Sequence, residues 1–96
     1  SYDYSEKRNV NNLRDLGFSL QNEIILASQV EPGYIREIAI PSMVGDIYYN
    51  IAINESELII TYKGSDMLFP VPAVTGSFSK GHNTLRKMQD GSLIIS

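Results

Sequence analysis

The chain has 96 residues, 43% of them hydrophobic and 20% charged, which is the composition of one small globular domain and excludes a disordered or low-complexity segment. A formal charge of -3 argues against a nucleic-acid surface, and the absence of cysteine removes thiol catalysis, disulfides and cysteine-ligated zinc together. No apolar run approaches the roughly 18 residues needed to cross a bilayer.

The first element is an amphipathic helix over about residues 4–30, clearest from Glu6 to Val30. Val10, Leu13, Leu16, Leu20, Ile24 and Ala27 recur at steps of three and four and so share one stripe. Phe18, Ile25 and Leu26 widen that stripe in the second half, so the later turns are expected against a sheet and the first turns are expected to project. Gly17, inside the helix, costs about 1 kcal/mol relative to Ala unless something packs close to the backbone there. Pro32-Gly33 supplies the stop, because proline lacks an N–H and glycine accepts the positive φ of a reversal. At the other end Asp3 and Glu6 form a candidate cap pair, yet Lys7 and Arg8 then sit where the helix dipole disfavours cations. Their position, with Ser1 in place of an initiating Met, suggests a trimmed or mature fragment of a longer helix.

Beyond the helix, the period shortens to that of strands over about residues 34–96. Residues 34–40 alternate, Pro41 ends the strand, and 41–45 read as a loop. The next strand, 46–53, places Ile47, Tyr49, Ile51 and Ile53 on one face. Asn54 to Glu57 turns the chain into a strand at 58–63, making a hairpin, and Lys63 to Asp66 turns it again. The next strand, 67–71, is followed by Pro72, and the two prolines, Pro70 and Pro72, mark residues 69–74 as an edge strand or extended crossing. Residues 75–83, rich in Gly and Ser, read as a loop with room for a short strand at 77–79. A final hairpin joins 84–88 to 92–95 across Asp90-Gly91, the preferred type I′ pair. The expected fold is α+β: one N-terminal helix packed on an antiparallel β-sheet meander, with Leu20, Ile24, Ala27, Ile38, Ile51, Ile53, Leu58 and Ile60 as the helix–sheet core.

No stretch has the spacing of an active site. His82 is the single histidine and falls in a predicted surface loop; the acid pairs Asp46/Asp66 and Glu55/Glu57 fall in turns, where water screens them. Neither a glycine-rich phosphate loop nor a metal-ligand set is present, so no catalytic residue, cofactor, metal or small-molecule substrate is expected. Tyr49 alternates with isoleucines and reads as packing. Asn54-Glu55-Ser56 matches the N-glycosylation acceptor pattern and lies in a predicted turn, the exposure that modification requires, given an extracytoplasmic location.

Several stretches carry a resemblance. Residues 20–27, Glu31-Pro32-Gly33-Tyr34, Ile40-Pro41 with Gly45, Thr61-Tyr62-Lys63-Gly64, Pro70-Val71-Pro72 with Thr75-Gly76, and residues 81–85 are similar to small archaeal type IV pilin-like proteins. Those proteins are membrane-anchored and made with a class III, prepilin-type signal peptide. The resemblance implies a pilin-like domain facing outward at the cell surface, anchored by an upstream hydrophobic half-helix. It also implies self-association, or association with pilin-like partner subunits, through the N-terminal helix. The signal peptide, its cleavage site and the hydrophobic half-helix are not in this sequence. Two other classes remain open: a binding module whose sheet face or prolyl edge strand captures a peptide or glycan, and a small enzyme gathering His82 or buried carboxylates into a pocket.

Overall fold

The computed structural model describes residues 4–96, and the candidate cap residue Asp3 lies outside them. One helix, α1 (Tyr4–Gln29), packs against strands that follow it, so the fold is α+β and dominated by antiparallel pairing. The helix buries Leu13, Gly17, Leu20, Ile24 and Ala27. Their spacing of four, three, four and three residues makes a narrower stripe than the sequence suggested, and Phe18 and Leu26 are 49% and 48% exposed on the outer side.

The strands are β1 (Ile35–Ile40), β2 (Met43–Val44), β3 (Ile47–Tyr48), β4 (Asn50–Asn54), β5 (Glu57–Tyr62), β6 (Ser65–Pro70), β7 (Val74–Thr75), β8 (Gly81–Lys87) and β9 (Leu93–Ile95). They form three sheets: β1-β8-β9-β7, β4-β5-β6, and the small β2-β3 hairpin. Strand β1 pairs along its whole length with β8, from Ile35 opposite Arg86 to Ile40 opposite Gly81. This long-range closure, and the parallel pairing of β7 with β9, are departures from a simple meander. The extended crossing expected near the two prolines is real: the chain leaves edge strand β6 at Pro70 and enters the other sheet at Val74. On the way, the Val71 and Val74 amides donate to the Ser56 and Glu55 carbonyls at 2.9 and 3.0 Å, tying the two sheets together.

Alternation sends Ile38, Ile40, Leu85, Leu93 and Ile95 from one sheet, and Ile53, Leu58, Ile60 and Phe69 from the other, into one core with the buried stripe of α1. Burying each such side chain is worth about 1.5–3 kcal/mol. Ile51, expected in this core, is half-buried at its margin. The single-strand reading of 46–53 is also corrected. The backbone breaks at Tyr49, whose ring turns inward; its hydroxyl donates to the Pro41 carbonyl and the Lys80 ammonium lies 3.9 Å over the ring. Met43 and Val44, read as loop, pair with Tyr48 and Ile47 around Gly45 at φ 59°.

The type I′ turn is at a different hairpin from the one expected. Lys63 and Gly64 both have positive φ, 51° and 76°, between the paired residues Tyr62 and Ser65. At the last hairpin only Gly91 is left-handed, at φ 89°, and its amide donates to the Met88 carbonyl, which makes a type I turn over Gln89-Asp90 closed by a glycine bulge. Strand β8 begins at Gly81, so His82 and Asn83 are strand residues, and residues 77–79 carry no strand. Asn83, which is buried, organises that loop: its side chain accepts from the Ser79 amide at 3.0 Å and donates to the Ser79 and Gly81 carbonyls at 2.8 and 3.1 Å.

Candidate functional site

Three surfaces concentrate the chemistry of the molecule. The first is the helix itself, held at both ends. Near its C-terminus no basic residue lies in the last turn; Lys87 of β8 supplies the cation instead, its Nζ donating to the Ser28 and Val30 carbonyls at 2.9 and 2.7 Å. Along the middle, Arg36 of β1 clamps Glu23 with bonds of 3.2 and 3.0 Å, which raises the guanidinium pKa above its ordinary value. Near the N-terminus, Glu6 accepts from Lys63 Nζ at 2.5 Å and from the Tyr62 hydroxyl at 3.2 Å, and this contact raises the Lys63 pKa. Sheet contact therefore reaches further up the helix than the sequence implied: Leu13 is fully buried, Val10 is half-buried, and free projection is confined to the first turn around Tyr4, Lys7 and Arg8.

Opposite the buried stripe, Tyr4 and Leu26 share the outer face of α1 with Asn22, and Phe18 lies at the margin of that face toward β6. Arg8 stacks on Tyr4, its guanidinium carbon 5.8 Å from the ring centroid. At the helical period, Phe18 and Leu26 lie about 140° from the centre of the buried stripe, so strict geometry assigns them to the solvent side and not to a widened stripe.

The second surface is the flank where α1 meets β6. Phe69 reaches in from β6 to lie against Gly17, with no room for a Cβ there, and meets the edge of Phe18 at a centroid distance of 5.3 Å. Gln21 Nε2 donates to the Pro70 carbonyl at 2.8 Å. Toward the other end of β6 the two elements part around an open cavity of about 360 Å³, lined by Glu6, Val10, Arg14, Tyr62, Ser65 and Met67 with Lys63.

The third is the outer face of β1 and β8, where the expected surface histidine has company. His82 pairs with Glu37, whose carboxylate also accepts from Thr84 Oγ1 at 3.3 Å. Register brings them together, since Glu37 lies opposite Thr84 and Ala39 opposite His82; no local sequence signal could have shown it. Of the two acid pairs, Asp46 and Glu55 lie in turns as read, whereas Asp66 and Glu57, expected in turns, belong to strands β6 and β5. Asp66 accepts from Thr61 Oγ1 at 2.6 Å, Asp46 is in the β2–β3 turn, and Glu55 and Glu57 flank Ser56. Among the described residues no three His, Asp or Glu side chains stand together as a metal site, and no helix is long and apolar enough to cross a membrane. Asn54 is exposed at the end of β4, one residue from Glu55 at φ 57°.

Compared with known protein-family models, with curated proteins and with solved structures, the chain matches none of them.

Proposed function

We propose that this chain is the extracytoplasmic domain of a pilin-like, membrane-anchored structural subunit, without catalysis of its own, and that α1 carries the contacts between subunits. The observation that carries this reading is the outer face of α1. A helix already satisfied on one side by Leu13, Leu20, Ile24 and Ala27 keeps Phe18 and Leu26 about half exposed on the other. Surfaces of that kind are stabilised by covering them. The resemblance of residues 20–27 and 31–34 to pilin-like proteins points to the same element. In this reading an apolar segment preceding Ser1 continues the helix into the membrane or a filament core. The sheets then face outward, and Asn54 meets the cell's glycosylation machinery.

The coding sequence upstream of Ser1 tests it. A prepilin-type cleavage motif followed by an apolar run continuous with α1 is the expected finding; a second globular domain leading directly into Tyr4 would overturn the reading.

A further inference from the structure

The flank between α1 and β6 has the parts of a peptide-binding groove. In the β5–β6 hairpin the two-residue turn makes Tyr62 and Ser65 a hydrogen-bonded pair, so bonded and non-bonded pairs alternate from there. Met67 and Phe69 therefore bond inward to β5, while the amide and carbonyl of Asp66 and Leu68 and the carbonyl of Pro70 point away from the sheet. Two facts agree with this phase. Pro70, which has no N–H to offer, falls at an outward position, and its carbonyl is the one that Gln21 reaches. Strand β6 is an edge of its sheet, so the Asp66 and Leu68 groups are open to another strand.

The helix supplies the second wall. Val10 and Arg14 are one turn apart, about 6 Å along the axis, on the side that overhangs β6. Side chains two residues apart on a strand are separated by about 6.6 Å, so an added strand can place successive same-face residues against successive helix turns. The first rung is apolar: Val10 and Met67 floor the 360 Å³ cavity. The second is cationic. Arg14 is in no ion pair among the described residues, its Nη1 donating to Asn11 Oδ1 at 3.2 Å, whereas the one carboxylate of the cavity, Glu6, already faces Lys63 and Tyr62. Leu68, 53% exposed, lies on the outer side of the same edge.

We infer that β6 is a docking edge for an extended acidic peptide, added as a further strand between β6 and α1, with an aliphatic side chain in the Val10–Met67 cavity and a carboxylate two residues away on Arg14. Main-chain bonds to Asp66 and Leu68 hold the strand, and the side-chain pair selects it. The inference is independent of how subunits assemble, because the groove lies on the flank of α1 and not on its outer face.

Capped peptides Thr-Thr-Leu-Thr-Glu-Thr-Thr and Thr-Thr-Glu-Thr-Leu-Thr-Thr, titrated into isotope-labelled protein, test it; both orders are needed because a strand can add in either sense. Saturable amide shifts at Asp66 and Leu68 with one peptide, at a dissociation constant below about 1 mM, are expected. Arg14→Gln weakens that peptide about tenfold and leaves its Gln-for-Glu analogue unchanged, as for a charge-assisted pair. Methylating the amide nitrogens of the Leu, Thr and Glu at its centre abolishes binding. Absence of saturable shifts at these amides, shifts confined to another strand, or equal binding of the methylated peptide would overturn the inference.

Discussion

Lys87 of β8 caps α1 from outside: its ammonium lies 2.9 Å from the Ser28 carbonyl oxygen and 2.7 Å from that of Val30. The same residue's main chain takes part in the closure, since its carbonyl accepts from the Gly33 amide and its amide donates to the Tyr34 carbonyl. A cation placed on the free carbonyls at a helix C-terminus opposes the dipole where it is most negative. Lys87→Met keeps the aliphatic stem and removes the charge, so it should cost about 1–2 kcal/mol. The check is a lowered urea midpoint at unchanged slope. Lys7→Met, on the exposed first turn, should leave the midpoint within error.

Gly17 is a packing glycine. Ala favours a helix by about 1 kcal/mol, yet any Cβ at this position enters the Phe69 ring. Gly17→Ala is therefore expected to destabilise by about 1–3 kcal/mol. The same substitution in a Phe69→Leu background, where the ring is gone, should recover most of that loss. A double-mutant cycle on denaturant unfolding reads the coupling, and zero coupling would remove the contact from the account.

Within the core, Ile24 is fully buried and Ile51 is only half-buried. Ile24→Ala should cost about 2–5 kcal/mol, through lost transfer energy and an unfilled cavity. Ile51→Ala should cost clearly less. Equal losses would place Ile51 back in the core where its strand alternation suggested.

Burial pushes the Tyr49 phenol above its ordinary value of 10.0. A raised pKa in the folded state means that the neutral form is the one the fold accommodates. Its stabilisation is complete below pH 10.0 and is lost as pH rises through the folded value. Tyrosinate absorbance should show a component titrating above pH 10.0, coupled to alkaline unfolding. In Tyr49→Phe the late component disappears and the alkaline limb moves. The acid side has a contribution of the opposite sign: the Ser92 hydroxyl and amide hold the Asp90 carboxyl below its usual range, so this contact persists at neutral pH and is lost as pH falls through that depressed value.

Helix α1 was legible because Leu13, Leu20, Ile24 and Ala27 recur at a helical period, and Pro32-Gly33 marks its end without ambiguity. Hairpin β4–β5 and the crossing at Pro70 and Pro72 were legible for the same reason: alternation and missing donors are local signals. What escaped is what depends on pairing between distant strands. The extension of β8 back to Gly81 exists only because β1 lies beside it, and the His82–Glu37–Thr84 cluster follows from that register. The turn type of the last hairpin escaped because Asp-Gly is compatible with both the tight turn and the glycine bulge, and the flanking pairing of Lys87 with Leu93 decides between them. Phe18 and Leu26 escaped because hydrophobicity counts them toward the stripe although their spacing from Leu20 and Ile24 points them away from it.

Because this chain has no cysteine, single introduced thiols report on contacts between copies most directly. Leu26→Cys, on the outer face of α1, and Asn54→Cys, exposed at the turn after β4, are the informative pair when carried in the intact gene product in its native cell. A short bismaleimide is expected to cross-link copies through position 26 and to leave the position 54 variant monomeric. Copies joined through position 54 and never through position 26 would contradict it, since the sheets and not α1 would then form the interface.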